Sequence, residues 1–199
     1  MQYVEFIERD RHTPIEVFRA LGVQSAWDDP DDELLGQIGR TMRLGPHPAY
    51  MAFCRFHDFK RLDEWEAHFC SEKHARDRRM HAKHHAIHHF RAGCYDEIIP
   101  ARRRLSGGLY YVEFFSSVRS ASDSDLTAHF MARQKRHATG DLAMVLRRIG
   151  LLAPDPGGMA IWTVDSYVAI EPIARDVGGT SDITPSMVGV YRDFAGEIL

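Results

Sequence analysis

Three cysteines in 199 residues, Cys54, Cys70 and Cys94, form no CxxC pair. An odd, scattered set argues against a disulfide framework and against a cysteine-based zinc site. No apolar run approaches the length of about 18 residues that a transmembrane helix needs. The formal net charge is −3, which provides no basic field to attract nucleic acid. The opening "MQYVEFIERD" lacks a charged segment followed by an apolar one, so no secretory signal is read and the cytoplasm is the expected compartment. HExxH and comparable metal-catalysis patterns are also missing. What remains is an ordinary globular balance, 44% hydrophobic and 27% charged.

The informative feature that is present is a repeat. "YVEF" occupies residues 3–6 and again 111–114, an offset of 111 − 3 = 108. The same offset, without a gap, joins Arg11 to Arg119, Leu34 to Leu142, Pro46 to Pro154, Pro48 to Pro156 and Met51 to Met159. "GCY" at 93–95 and "GVY" at 189–191 lie 96 apart, so the first copy carries about 108 − 96 = 12 extra residues before its last strand. Those residues fall in or beside "HAKHHAIHHF", residues 81–90, which holds five histidines.

Each copy reads strand, helical region, strand, helix, strand. "QYVEFIER" alternates as a strand, and "TPIEVFRAL" follows with Thr13 as N-cap, Pro14 at the first helical position and Glu16 completing a capping box. "DDELLGQIGRTMRL" reads as a second helical piece, "AYMAFCRF" as a strand, residues 62 to about 88 as helical, and "RAGCYDEII" as the last strand. The second copy repeats the scheme with "GLYYVEFFSS", helices within 123–150, "MAIWTVDSY", the helix "YVAIEPIAR" and "SMVGVYRDF". One short strand per copy is not located by pattern. The expected organisation is a first ferredoxin-like repeat over 1–100 with a histidine-rich helical insertion at about 73–89, a basic linker over 101–107, and a second repeat over 108–199. The expected fold class is α+β, two antiparallel sheets packed as a pseudo-twofold barrel.

This plan resembles the dimeric α+β barrel superfamily, in the form where both halves lie in one chain. "WTVDSYVAIEPIARD" looks like the strand and helix region of NIPSNAP-like domains, and "LDEWEAHFCSEKH" is similar to a helix region of antibiotic-biosynthesis-type monooxygenases. The resemblance implies a superfamily of cofactor-free oxygenases, haem enzymes, lactone isomerases and proteins with no known reaction. It also implies that a haem, if present, would be held by His68 or His74, on a helix flanking the barrel.

Strand alternation assigns faces. The mixed polar and aromatic faces carry Tyr3, Glu5, Ile7 and Arg9 in the first strand and Met51, Phe53, Arg55 and His57 in the next, with Tyr95 and Glu97 in the last. Their counterparts are Tyr111, Glu113 and Phe115, Met159, Ile161, Thr163 and Asp165, and Tyr191 and Asp193. This mixed set is expected to line the inner face between the sheets. Glu5 would be a base, Arg55 an anion-holding cation, His57 a proton shuttle and Tyr95 a hydrogen-bond donor, with Tyr3, Phe53, Tyr111, Glu113 and Tyr191 as ligand contacts. A symmetric pairing of Glu5 and Glu113 with Arg55 or Arg9 competes with that reading. His12, at the expected start of the first helix, is either a base at a pocket mouth or a solvent-facing cap.

On a helix His81, His84, His85 and His88 would share one face, and i, i+4 imidazoles can hold a divalent ion. The same stretch is rich in Lys73, Arg76, Arg78, Arg79 and Lys83, as a solvated or partner-binding face would be. Three functions follow: a small-molecule barrel with oxygenase or isomerase chemistry on an aromatic or polycyclic substrate, a non-catalytic interaction or oligomerisation module, and a haem or divalent-metal protein. Association into homo-oligomers is compatible with each.

Overall fold

The computed structural model describes residues 1–10, 12, 14, 33–42, 44, 45, 48–69, 87–117, 121–153, 155–177 and 183–193. Eight strands run in chain order: β1 (Gln2–Arg9), β2 (Glu33–Arg40), β3 (Tyr50–Arg55), β4 (Ile87–Ile99), β5 (Leu109–Ser117), β6 (Gly140–Arg148), β7 (Gly158–Val164) and β8 (Thr184–Asp193). The helices among the described residues are α1 (Phe59–Phe69), α2 (Asp123–Arg136) and α3 (Tyr167–Arg175). The strands close into one antiparallel barrel in the order β1-β3-β2-β8-β5-β7-β6-β4. Read from β4, the order is β4-β1-β3-β2 and then β8-β5-β7-β6, so the first half repeats in the second. Closure leaves no free sheet edge.

Helix starts follow local chemistry. Ser122 caps α2 by accepting from the Asp125 N–H, and the Asp125 carboxylate accepts from the Ser122 N–H, a reciprocal box at the positive end of the helix. Ser166 caps α3 through the Ala169 N–H.

The strands missing from the sequence pattern are β2 and β6. "ELLGQIGR" and "GDLAMVLRR", expected as helical, are strands at the seams between the two halves of the barrel. Each contains a bulge, between Leu34 and Gly36 and between Leu142 and Met144. A bulge shifts the side-chain phase by one residue, so Leu35 and Ile38 are both buried at a helix-like spacing of three. Gly36 also admits the linker: any Cβ there would lie 2.5 Å from the Leu105 carbonyl oxygen. Leu105 donates its N–H to the Leu35 carbonyl at 2.6 Å and, with Ala101, closes one end of the lumen, while Arg102, Arg103 and Arg104 stay exposed.

The halves clasp each other reciprocally. Thr41 N–H donates to the Val190 carbonyl and Val190 N–H to that of Leu44; at the pseudo-equivalent place Ile149 N–H donates to Cys94 and Cys94 N–H to Leu152. Tyr95 and Tyr191, both fully buried, extend the pattern. The Tyr95 hydroxyl points to the Pro156 carbonyl at 3.5 Å and the Tyr191 hydroxyl to that of Pro48 at 3.2 Å.

The lumen is packed with apolar side chains, among them Val4, Phe6, Phe53, Val112, Phe114 and Ile161. A second core lies between the second sheet and its helices, around Tyr111, Phe130, Trp162 and Ile173. The expected phase of the first strands is therefore reversed. Val4 and Phe6 point inward, and Tyr3 and Glu5 point to the helix layer, as do Tyr111, Glu113 and Phe115. The physical reason is that a barrel interior is the drier compartment, whereas the helix layer can offer partners to a carboxylate. Of the other residues expected inward, Met51, Phe53, Tyr95, Met159, Ile161 and Tyr191 face the lumen, whereas His57 and Asp165 are exposed.

A helix running to residue 88 is also corrected, because β4 already begins at Ile87. His88 and His89 sit on a strand, where they cannot share a helical face with His84 and His85. Residues 70–86, with His74, His81, His84 and His85, lie outside the described residues, as do the expected first helix after Pro14 and the side chains of Arg9, His68 and His88.

Candidate functional site

The layer between the first sheet and α1 is built from the outward face of β1. Tyr3 lies between Cys54 on β3 and Cys94 on β4, and two residues on Glu5 lies between Ala52 and Ala92. Both thiols are buried and unbridged. The Tyr3 ring meets Phe56 edge-on at 6.2 Å and Trp65 of α1 at 5.7 Å, and Phe56 and Trp65 are 6.0 Å apart. Rings at these separations form a mutually supporting cluster.

Glu5 makes no ion pair or hydrogen bond to the described residues. Burial pushes its carboxyl up to about 7, because a charge in an apolar setting loses its hydration. Burial likewise raises the Tyr3 hydroxyl, with the Glu5 charge adding to the effect.

The pseudo-equivalent layer of the second half is filled. Arg133 of α2 donates to both Glu113 oxygens, at 2.5 and 2.7 Å, and to the Ile173 carbonyl at 3.2 Å. Its guanidinium lies 5.3 Å from the Trp162 ring centre and 5.9 Å from that of Phe130. Arg133 and Glu113 are 2% and 3% exposed, which makes this a desolvated, bidentate pair. Asp176 continues it outward, 3.7 Å from Arg133 Nε and bound by Arg136 and His137. The cavity beside His129 and Phe130 is only about 10 Å³.

The remaining expected site residues lie elsewhere. Arg55 binds Glu97 through two nitrogens at 2.7 and 3.0 Å and the Ala101 carbonyl at 3.1 Å, and the fully buried Gln2 also donates to Glu97. This network faces a cavity of about 640 Å³ at the barrel end, with His57 exposed beside it. Arg55 therefore pairs with neither glutamate proposed for it. Tyr95 is inside the barrel and His12 is exposed, its N–H held by Asp10 at 2.8 Å. Glu5, Arg55, His57 and Tyr95 thus do not form one constellation.

No family model matches the chain, and no curated protein matches it. Solved structures do. An anthrone oxidase-like protein superposes with a TM-score of 0.58 at 11% identity, covering 100% of this chain and 94% of that one. A candidate monooxygenase from Lactobacillus acidophilus NCFM gives 0.55 at 10% identity, covering 100% and 98%. A mutant chlorite dismutase from Candidatus Nitrospira defluvii, in complex with cyanide, gives 0.53 at 10%, covering 98% and 92%. The chain has the dimeric α+β barrel fold. At such identities the likeness is one of fold and carries no chemistry by itself.

Within this barrel the residues that sequence reasoning overlooked are Cys54, Cys94, Trp65 and Arg133. The signal was available. At the offset of 108, Trp162 becomes Cys54 and Arg133 becomes Ser25, and at 96 Val190 becomes Cys94. The histidines expected to hold a haem or a metal, His68, His74, His81, His84, His85 and His88, have side chains outside the described residues. Among the described residues no group of three or more His, Cys, Asp or Glu is placed to hold an ion. No helix among them is long and apolar enough to cross a membrane.

Proposed function

We propose that the barrel binds a small aromatic molecule between its first sheet and the helix layer above it, and acts on that molecule as a cofactor-free oxygenase or isomerase with Glu5 as the base. The observation that carries this reading is the contrast between Glu5, without a partner among the described residues, and Glu113, closed by Arg133. Tyr3, Phe56 and Trp65 supply an aromatic wall, and a carboxyl that titrates near neutrality exchanges protons readily at working pH. Glu5 would remove an acidic proton from the bound ring system. Returning it at another atom gives an isomer; where the freed electron pair instead forms a C–O bond to dioxygen, the proton passes from Glu5 to the resulting peroxide and the product is a hydroperoxide. The fold neighbours named as a monooxygenase and as anthrone oxidase-like are consistent with either course.

The test is a panel of phenols, quinols and amino-substituted heteroaromatics, followed by absorbance and oxygen uptake. At least one compound is expected to bind saturably and turn over, and Glu5→Gln to slow turnover by about 10²-fold or more. No saturable binding across the panel ends the proposal.

A further inference from the structure

The second half contains its own picture of what the first half binds. At Glu113 the partner is a planar group presenting two parallel N–H donors to one carboxylate, with its flat face against arenes. At the first-half position Glu5 occupies the same place on the same strand face, between Ala52 and Ala92 as Glu113 lies between Ala160 and Val188. The chain supplies no guanidinium at the matching sequence position, which is Ser25. The arenes are supplied from other places, by Tyr3, Phe56 and Trp65.

We propose that the first-half site takes an aromatic ligand with an amidine- or guanidine-type head, whose two in-plane donors meet the Glu5 carboxylate as Arg133 meets Glu113. This rests on the proposed function in one respect, that Glu5 marks the ligand site; toward a ligand with such a head the carboxylate is the anchor, and it acts as a base on bound molecules that lack one. Two parallel donors fit both carboxylate oxygens at once, which a single hydroxyl or ammonium does not. Stoichiometry follows: the second-half site is occupied by the chain's own side chain, so one ligand binds per chain. A cationic head also draws the proton off Glu5, so binding below about pH 7 releases protons.

Benzamidine is the probe, titrated calorimetrically into the whole chain in buffers of different ionisation enthalpy. The expected result is one benzamidine per chain, proton release at pH 6 that fades by pH 8, and at least tenfold weaker binding of benzamide, which presents one donor and one acceptor. Glu5→Gln should weaken benzamidine at least tenfold. Two equivalents per chain, benzamide binding as tightly, or unaltered affinity in a folded Glu5→Gln variant would each overturn the inference. If that variant does not fold, the benzamide comparison and the proton count on the natural chain decide. Turnover of the aromatic panel is read separately: Glu5-dependent turnover without benzamidine binding sinks only this inference, and Glu5-dependent benzamidine binding without any turnover sinks only the catalytic reading.

Discussion

Glu5 and Glu113 stand at matching positions of two matching half-barrels, and their surroundings are opposites. Glu113 is sealed under Arg133, Trp162 and Phe130; Glu5 sits between two alanines, two residues on from Tyr3, which lies between two cysteines and joins an aromatic cluster. The difference teaches where to look for chemistry. A buried carboxylate already closed by a bidentate side chain has no oxygen left for a ligand, whereas a desolvated one without such a partner among the described residues has both its oxygens and a proton to trade.

The comparison breaks most visibly at Arg133. Arg133→Met leaves Glu113 buried and unpaired, and chemical denaturation should show a loss of about 3–5 kcal/mol, much of it recovered when Glu113→Leu is added. A loss below 1 kcal/mol would mean that the pair does not seal the second half. Next in size is the pH dependence of Glu5. Its carboxyl is near 7 in the fold and at the ordinary 4.5 when unfolded, so both states are protonated at low pH. Between those values the folded state binds more protons, and stability falls as pH rises through the window. Glu5→Gln does not titrate there. It should match the natural chain near pH 4 and exceed its stability by about 3 kcal/mol at pH 8, as measured by melting across the range. Parallel curves would show that Glu5 is not desolvated.

Two smaller effects sharpen the comparison by exclusion. Arg55→Ala should cost about 2 kcal/mol by freeing Glu97 and the Ala101 carbonyl, with benzamidine affinity unmoved. A drop in that affinity would link the barrel end to the first-half layer. His57→Ala, at an exposed position, should shift stability by under about 0.5 kcal/mol.

The halves also differ in how much of them could be read from sequence. Alternation in "YVEF" and "MAFCR" gave strands correctly, and α3 matches "YVAIEPIAR" residue for residue. The bulged strands β2 and β6 escaped because one extra residue turns a period of two into a spacing of three, which is the helical signature. The face of β1 was misassigned for a different reason. Polar residues looked as if they belonged to an interior ligand site, yet the interior is where Val4 and Phe6 go, and Glu5 and Tyr3 turn to the helix layer. The candidate site was legible as residue types, Glu5 and Tyr3 among them. Its neighbourhood depended on which strands lie side by side, and pairing across β3, β1 and β4 is not written in any local pattern.

The segment that carries the chain from β4 to β5, plugging the lumen with Ala101 and Leu105, has a consequence for inheritance. In a barrel assembled from two identical chains, every substitution lands twice, and a guanidinium that fills one layer fills both. A single continuous chain lifts that constraint. Position 133 can hold arginine while position 25 holds serine, so the two matching carboxylates need not share the same partner.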